Sequence, residues 1–270
     1  LRSLSIKEKT LGPEHSGTGS LVDSLASLYA IQGKYSKAES LFLRSLSIKE
    51  KTLGPEHSGT AISLNNLGLL YVYQGKYSKA EPLYLRTLSI NEKTYGPEHL
   101  FVGKSLHNLA NLYKSKGLFS KAESLYLRAL SILGKDLGTN HPDTGTLVDS
   151  LASLYFWQGL YNKAEPLYLR ALSISEKTLG TDHPDTADKL KGLAKIYHIQ
   201  GNFNKAEPLY LRALSISEKV LGPDHPDTAV SINNLALLYK DQKQYSKAEP
   251  LYLRASVSYT HLTLPTIMPV

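Results

Sequence analysis

The sequence predicts an all-α fold, a right-handed superhelical solenoid of antiparallel helix pairs. Three observations predict it. First, the chain copies itself at a fixed step. Gly33, Gly75, Gly117, Gly159 and Gly201 lie 42 residues apart, as do Ala38, Ala80, Ala122, Ala164, Ala206 and Ala248. A period of that length marks stacked supersecondary units, each contacting only its neighbours. Second, apolar residues inside a unit recur at helical spacing: Leu64, Leu67, Gly68 and Tyr71 fall on one helix face. Third, stop signals punctuate each unit at the same places. Gly75 divides two helical stretches, and Gly96-Pro97 closes the second.

The elements follow in order. Residues 1–10 are identical to 43–52 and read as the end of a second helix whose partner lies outside the chain. With a first residue other than methionine, they suggest a piece of a longer array. Six first helices are centred on Leu25, Leu67, Leu109, Leu151, Leu193 and Leu235, alternating with five complete second helices. Each first helix ends at a glycine such as Gly75, which takes a left-handed cap cheaply. The next helix is expected to open with a capping box, Ser78 three residues before Glu81, repeated at Ser36/Glu39, Ser120/Glu123 and Ser246/Glu249. Pro82 sits in the first turn, where a missing amide costs least. Ala80, Leu83, Tyr84, Thr87 and Leu88 form the buried stripe.

Two departures stand out. His99-Leu100-Phe101-Val102 replaces the usual His-Pro-Asp-Thr, so that linker lacks its Asp/Thr cap and shows an exposed or repacked Phe101. Lys243 stands where the other units have glycine. Keeping the turn forces Lys243 left-handed at a cost of about 1–2 kcal/mol; otherwise the last hairpin turns differently. The array is expected over residues 1–255, truncated at both ends. After Ala255 the chain reads SVSYTHLTLPTIMPV, with neither helical period nor caps. Residues 256–270 read as a read-through or cloning-derived tail without fixed order.

Composition narrows the function. The net charge is +7 with a pI near 9.2. The lysines and arginines recur once per repeat and form no single block, so they read as a solvated face, and nucleic acid is disfavoured as the main ligand. Cysteine is absent, which fits a reducing, cytoplasmic setting. No run of 18 apolar residues exists, so no membrane span is expected. No basic-then-apolar leader stands at the start of the chain.

The pattern Leu64-x-x-Leu67-Gly68-x-x-Tyr71, followed by Ala80-x-x-x-Tyr84, resembles the tetratricopeptide repeat. Leucine replaces the first tryptophan of that pattern. The 42-residue form, with LNNL in the first helix and EKxLGxxHP after the second, is similar to kinesin light chain and nephrocystin-type repeats across residues 1–255. The resemblance implies a noncatalytic scaffold for protein–protein interaction that binds linear peptide segments and needs no cofactor. It also implies that Asn65 and Asn233, in the LNNL segments, bond the backbone of an extended peptide. Asp23, His107, Asp149 and Lys191 take that position in other units, so the ladder is incomplete.

No Gly-rich phosphate loop, nucleophile elbow or HExxH motif appears. Six histidines keep the repeat step: His15, His57, His99, His141, His183 and His225. One per unit places them at least a helix spacing apart, ~8–10 Å, too far to share an ion. A structural role at the linker is expected instead. The candidate peptide-binding residues are those that vary on the first-helix face opposite the packed stripe. They are Asn65, Leu69, Tyr73, Lys104, His107, Asn111, Lys114, Phe156, Trp157, Lys191, Lys195, His198, Asn233 and Lys240. Lys104, Lys114, Lys191 and Lys195 favour an acidic peptide. Trp157, the only tryptophan, is either an anchor for the partner or a filler between helices. Two other readings remain: RNA in the same basic groove, and the sensor or scaffold region of a larger signalling enzyme.

Overall fold

The computed structural model describes residues 2–263. Among these residues the secondary structure is helical throughout. The helices are α1 (Arg2–Leu11), α2 (Ser16–Ile31), α3 (Tyr35–Thr52), α4 (Ser58–Tyr73), α5 (Tyr77–Tyr95), α6 (Leu100–Ser115), α7 (Phe119–Asp136), α8 (Pro142–Trp157), α9 (Tyr161–Thr178), α10 (Pro184–Ile199), α11 (Phe203–Leu221), α12 (Pro226–Asp241) and α13 (Tyr245–Thr263). They fall into two compact units, Leu1–Leu137 and Gly138–Val270.

Within each unit the same hairpin is stacked. In the first, α2/α3, α4/α5 and α6/α7 are the pairs; in the second they are α8/α9, α10/α11 and α12/α13. Each inner first helix packs on its own second helix, on the preceding second helix and on neighbouring first helices. The small residue of each first helix makes this possible: Ala26, Ala110, Ala152, Ala194 and Ala236 are fully buried. Gly68 takes that place in α4, where an added Cβ would lie 2.8 Å from the Tyr84 ring.

The turns follow from glycine chemistry. In the first hairpin Gly33 has φ +71°, and Lys34 N–H donates to Tyr29 O at 2.9 Å, satisfying a carbonyl that the helix end leaves open. Lys243 adopts the same conformation with φ 62°. The last hairpin therefore keeps the common turn, and its side chain carries the strain.

The histidines cap the first helices. Nδ1 of His57 accepts the Gly59 amide at 2.9 Å, and His15, His99, His141, His183 and His225 do the same two residues downstream. A linker hydroxyl then ties the loop: Thr60 Oγ1 donates to Gly54 O at 2.8 Å, and Thr18, Thr144, Thr186 and Thr228 repeat the bond. Val102 stands in place of that threonine in the third linker. There Tyr95, His99 and Phe101 close the corner as an aromatic cluster, with Tyr95 and His99 stacked at 4.7 Å.

The capping boxes expected on the second helices are absent from α3, α5, α7, α9 and α11. Helix α5 starts at Tyr77, its N-cap Lys76 makes no side-chain cap bond, and Ser78 already lies inside the first turn. The glutamates serve the next repeat instead. Tyr71 donates to Glu39, Tyr113 to Glu81, Tyr197 to Glu165 and Tyr239 to Glu207, at 2.7–3.0 Å. A second set of rungs joins successive second helices: Arg86–Glu50, Arg128–Glu92, Arg212–Glu176 and Arg254–Glu218, at 2.6–2.8 Å.

Helix α13 also departs from expectation. It runs to Thr263, eight residues into the stretch read as a tail, so the sixth second helix is as long as α5 and α11. Residues 264–270 lie outside those described.

Candidate interaction surface

The sequence-predicted positions all lie on first helices, and the structure gathers most of them into grooves. In the first unit, Leu69 and Tyr73 of α4 line a groove of about 440 Å³ with Ile31 of α2 and Phe42 of α3. Asn65 and Lys104 line another of about 250 Å³, together with Asn91, Phe101 and Asn108. In the second unit, Phe156, Trp157, Lys191 and Lys195 line a groove of about 260 Å³. Phe156, Lys195 and His198 line one of about 450 Å³. His107, Asn111, Lys114, Asn233 and Lys240 line none of these four.

Several of the predicted groups are committed elsewhere in the protein. The Asn65 carbonyl accepts from Asn108 Nδ2 at 2.8 Å. That leaves one amide nitrogen and one carbonyl of the pair for a ligand, a donor and an acceptor side by side. Asn111 Oδ1 accepts from the Tyr126 hydroxyl at 2.6 Å, and the His107 ring lies 5.9 Å from the same tyrosine. Lys191 is only 9% exposed and donates to Asp188 at 2.7 Å. It is a buried pair member rather than an open cation. His198 Nε2 meets Asp241 at 2.9 Å, bridging α10 and α12. Trp157 is 68% exposed and does not fill a gap; its ring meets Phe156 edge-on at 6.0 Å.

The Asn65 column ends differently in α2. Asp23 is turned inward, 5% exposed, and accepts from Lys49 Nζ and Ser63 Oγ, each at 2.7 Å. Its other oxygen is buried without a partner. This three-helix polar cluster joins α2, α3 and α4.

Sequence reasoning missed the groove floors. These come from second helices read as plain core: Phe42, Tyr168 and Tyr210. Tyr168 packs so closely on α10 that a Cβ on Gly192 would lie 2.5 Å from its ring. Burial first, then the Asp149 carboxylate, pushes its hydroxyl up from the ordinary tyrosine value, with Ser153 pulling back. The available signal was Gly192 itself, standing where other units have Asn66, Asn108, Ser150 and Asn234.

The electrostatics of the second unit are nearly balanced. Asp149 pairs with Lys189 at 3.1 Å and Asp188 with Lys191. The Lys195 ammonium is held below the usual lysine value by desolvation first and the Lys191 charge second, with Asp188 opposing, although the residue as a whole is exposed.

Comparison with known proteins agrees with this architecture. A family model described as tetratricopeptide repeat matches residues 19–93, 73–135, 143–207 and 187–256. No curated protein matches the sequence. Among solved structures, BtubC (BKLC) from P. vanneervenii superposes with a TM-score of 0.69 at 22% identity, covering 88% of this chain and 93% of that one. A Podosopora anserina protein, described as a kinesin light chain with nearly identical TPR-like repeats, gives 0.64 at 27% identity, covering 78% and 100%. A signal transduction ATPase from Pyrococcus horikoshii with a tetratricopeptide repeat sensor gives 0.67 at 20% identity, covering 89% of this chain and 36% of that one.

Proposed function

The chain belongs to the tetratricopeptide repeat family, and from that premise we propose a noncatalytic interaction scaffold that holds an extended, acidic segment of another protein along its first-helix faces. The observation that carries this reading is the Asn65–Asn108 amide pair beside Lys104 in one groove. An amide pair with one donor and one acceptor to spare suits the backbone of an extended peptide. A lysine beside it favours a negatively charged side chain. The likeness to a protein described as a kinesin light chain, at 27% identity, supports the same reading.

Lys191 is a poor probe of that idea, because reversing a buried, paired charge disturbs the fold. Lys104 is exposed and serves better. Fluorescence anisotropy with a labelled acidic peptide library is expected to show binding that weakens at least tenfold in the Lys104→Glu variant. Binding unchanged by that variant overturns the reading. Saturable binding of labelled RNA whose logarithm falls steeply with log salt transfers the surface to nucleic acid.

A further inference from the structure

The two grooves of the second unit meet at Phe156 and Lys195, which line both. The aspartates around them each have a partner within the fold: Asp149 has Lys189, Asp188 has Lys191 and Asp241 has His198. Lys195 has no ion-pair partner among the described residues. Its ammonium is therefore the one lysine charge lining these two grooves that no carboxylate pairs with. The wider groove holds a second unmet demand, since the Asn234 amide nitrogen is buried there without an acceptor. A buried donor left unpaired costs about 1–3 kcal/mol, which an acceptor arriving from outside recovers. The rest of the lining is apolar apart from the His198–Asp241 pair and Gly201, with Phe203 and Tyr210 of α11, Ile199 of α10 and Leu237 of α12. At about 450 Å³, this groove lies within the ~300–1,000 Å³ common for small-molecule sites.

We propose that this groove binds a small amphipathic acid, a single carboxylate on a compact apolar tail. The carboxylate meets Lys195 and Asn234, and the tail lies against Phe156, Phe203 and Leu237. A single unpaired ammonium matches a monoanion, and the apolar part of the lining rejects a purely hydrophilic one. The site does not depend on the peptide reading, which rests on Asn65, Asn108 and Lys104 in the other unit.

Trp157 supplies the signal. It is the only tryptophan, exposed, and in edge contact with Phe156, so its emission reports occupancy of the groove that Phe156 lines. The probes are 5-phenylvalerate, its uncharged amide, and acetate, titrated into the full chain. Phenylvalerate is expected to saturate with a dissociation constant on the order of 1 mM or tighter, as ligand efficiency sets for so few atoms. The amide binds at least tenfold more weakly, and acetate does not saturate. Lys195→Gln, at an exposed position, brings the acid down to the level of the amide and leaves the amide unchanged. Asn234→Leu weakens the acid while raising the thermal midpoint, which an amide with a purely structural role would lower. Equal affinity for acid and amide, an acid preference that survives Lys195→Gln, or no saturation overturns the proposal. Acidic-peptide binding without phenylvalerate binding removes this site and leaves the scaffold reading standing; the reverse result does the opposite.

Discussion

Asp23 and Lys49 show how a single residue pair departs from its repeat. Lys49 looks like one more surface lysine in IKEKT, and Lys7 repeats it, yet the column holds Asn91, Leu133, Ser175 and Ser217 in the later units. Those uncharged successors were the readable sign of burial. The Asp23 column gave no such sign, since Asn65, His107, Asp149 and Lys191 share no single chemistry. A buried ion pair adds little stability beyond a well-packed apolar pair, but losing one partner is costly, about 3–5 kcal/mol. Lys49→Met alone is therefore expected to lower hydrogen-exchange protection across α2–α4 by that amount. Asp23→Leu with Lys49→Met should restore most of it. Lys243 is the converse case, a strained residue where glycine belongs. Lys243→Gly is expected to stabilise the α12/α13 hairpin by about 1 kcal/mol, read as a higher urea midpoint.

At the level of elements, helix existence and spacing were legible because period and punctuation agree. Helix starts were not. Ser78 and Glu81 match the capping-box spacing, but Tyr77 joins the helix and Glu81 turns to Tyr113 and Lys116 of the next hairpin. Only the stacked arrangement brings those partners near, so no local rule exposes them. The rungs have a pH signature at both ends. The Lys116 bond, with Tyr113 and the nearby lysine charges against the cost of burial, holds the Glu81 carboxyl below its ordinary value. A depressed carboxyl contributes stability that is present above its unfolded value and disappears as pH falls through the folded one. Tyr71, Tyr197 and Tyr239 are pushed up to about 12, by burial first and their glutamates second. Their contribution is whole below the ordinary value of 10 and is lost as pH rises toward about 12. Denaturation midpoints should hold to about pH 10 and then fall. Replacing all three by Phe should flatten that fall while costing about 1 kcal/mol per lost bond at neutral pH.

Across the whole molecule, the frame was readable and the contents of the grooves were only partly so. Composition shows which side chains vary; it does not show which are already engaged, as Lys191 is by Asp188 and Asn111 by Tyr126. The rungs have one more implication. Tyr197 reaches Glu165 and Tyr239 reaches Glu207; Arg212 reaches Glu176 and Arg254 reaches Glu218. Within each unit, a hairpin presents glutamates to the tyrosine and arginine of the hairpin that follows it. Excising residues 184–225 would join His183 to Pro226, recreate the His-Pro-Asp-Thr linker, and hand Glu165 and Glu176 to Tyr239 and Arg254. The shortened chain is expected to fold with unchanged helicity per residue by circular dichroism, and a molten product would refute this. Number of hairpins is then a free variable for such a gene, open to unequal recombination without any compensating change of sequence.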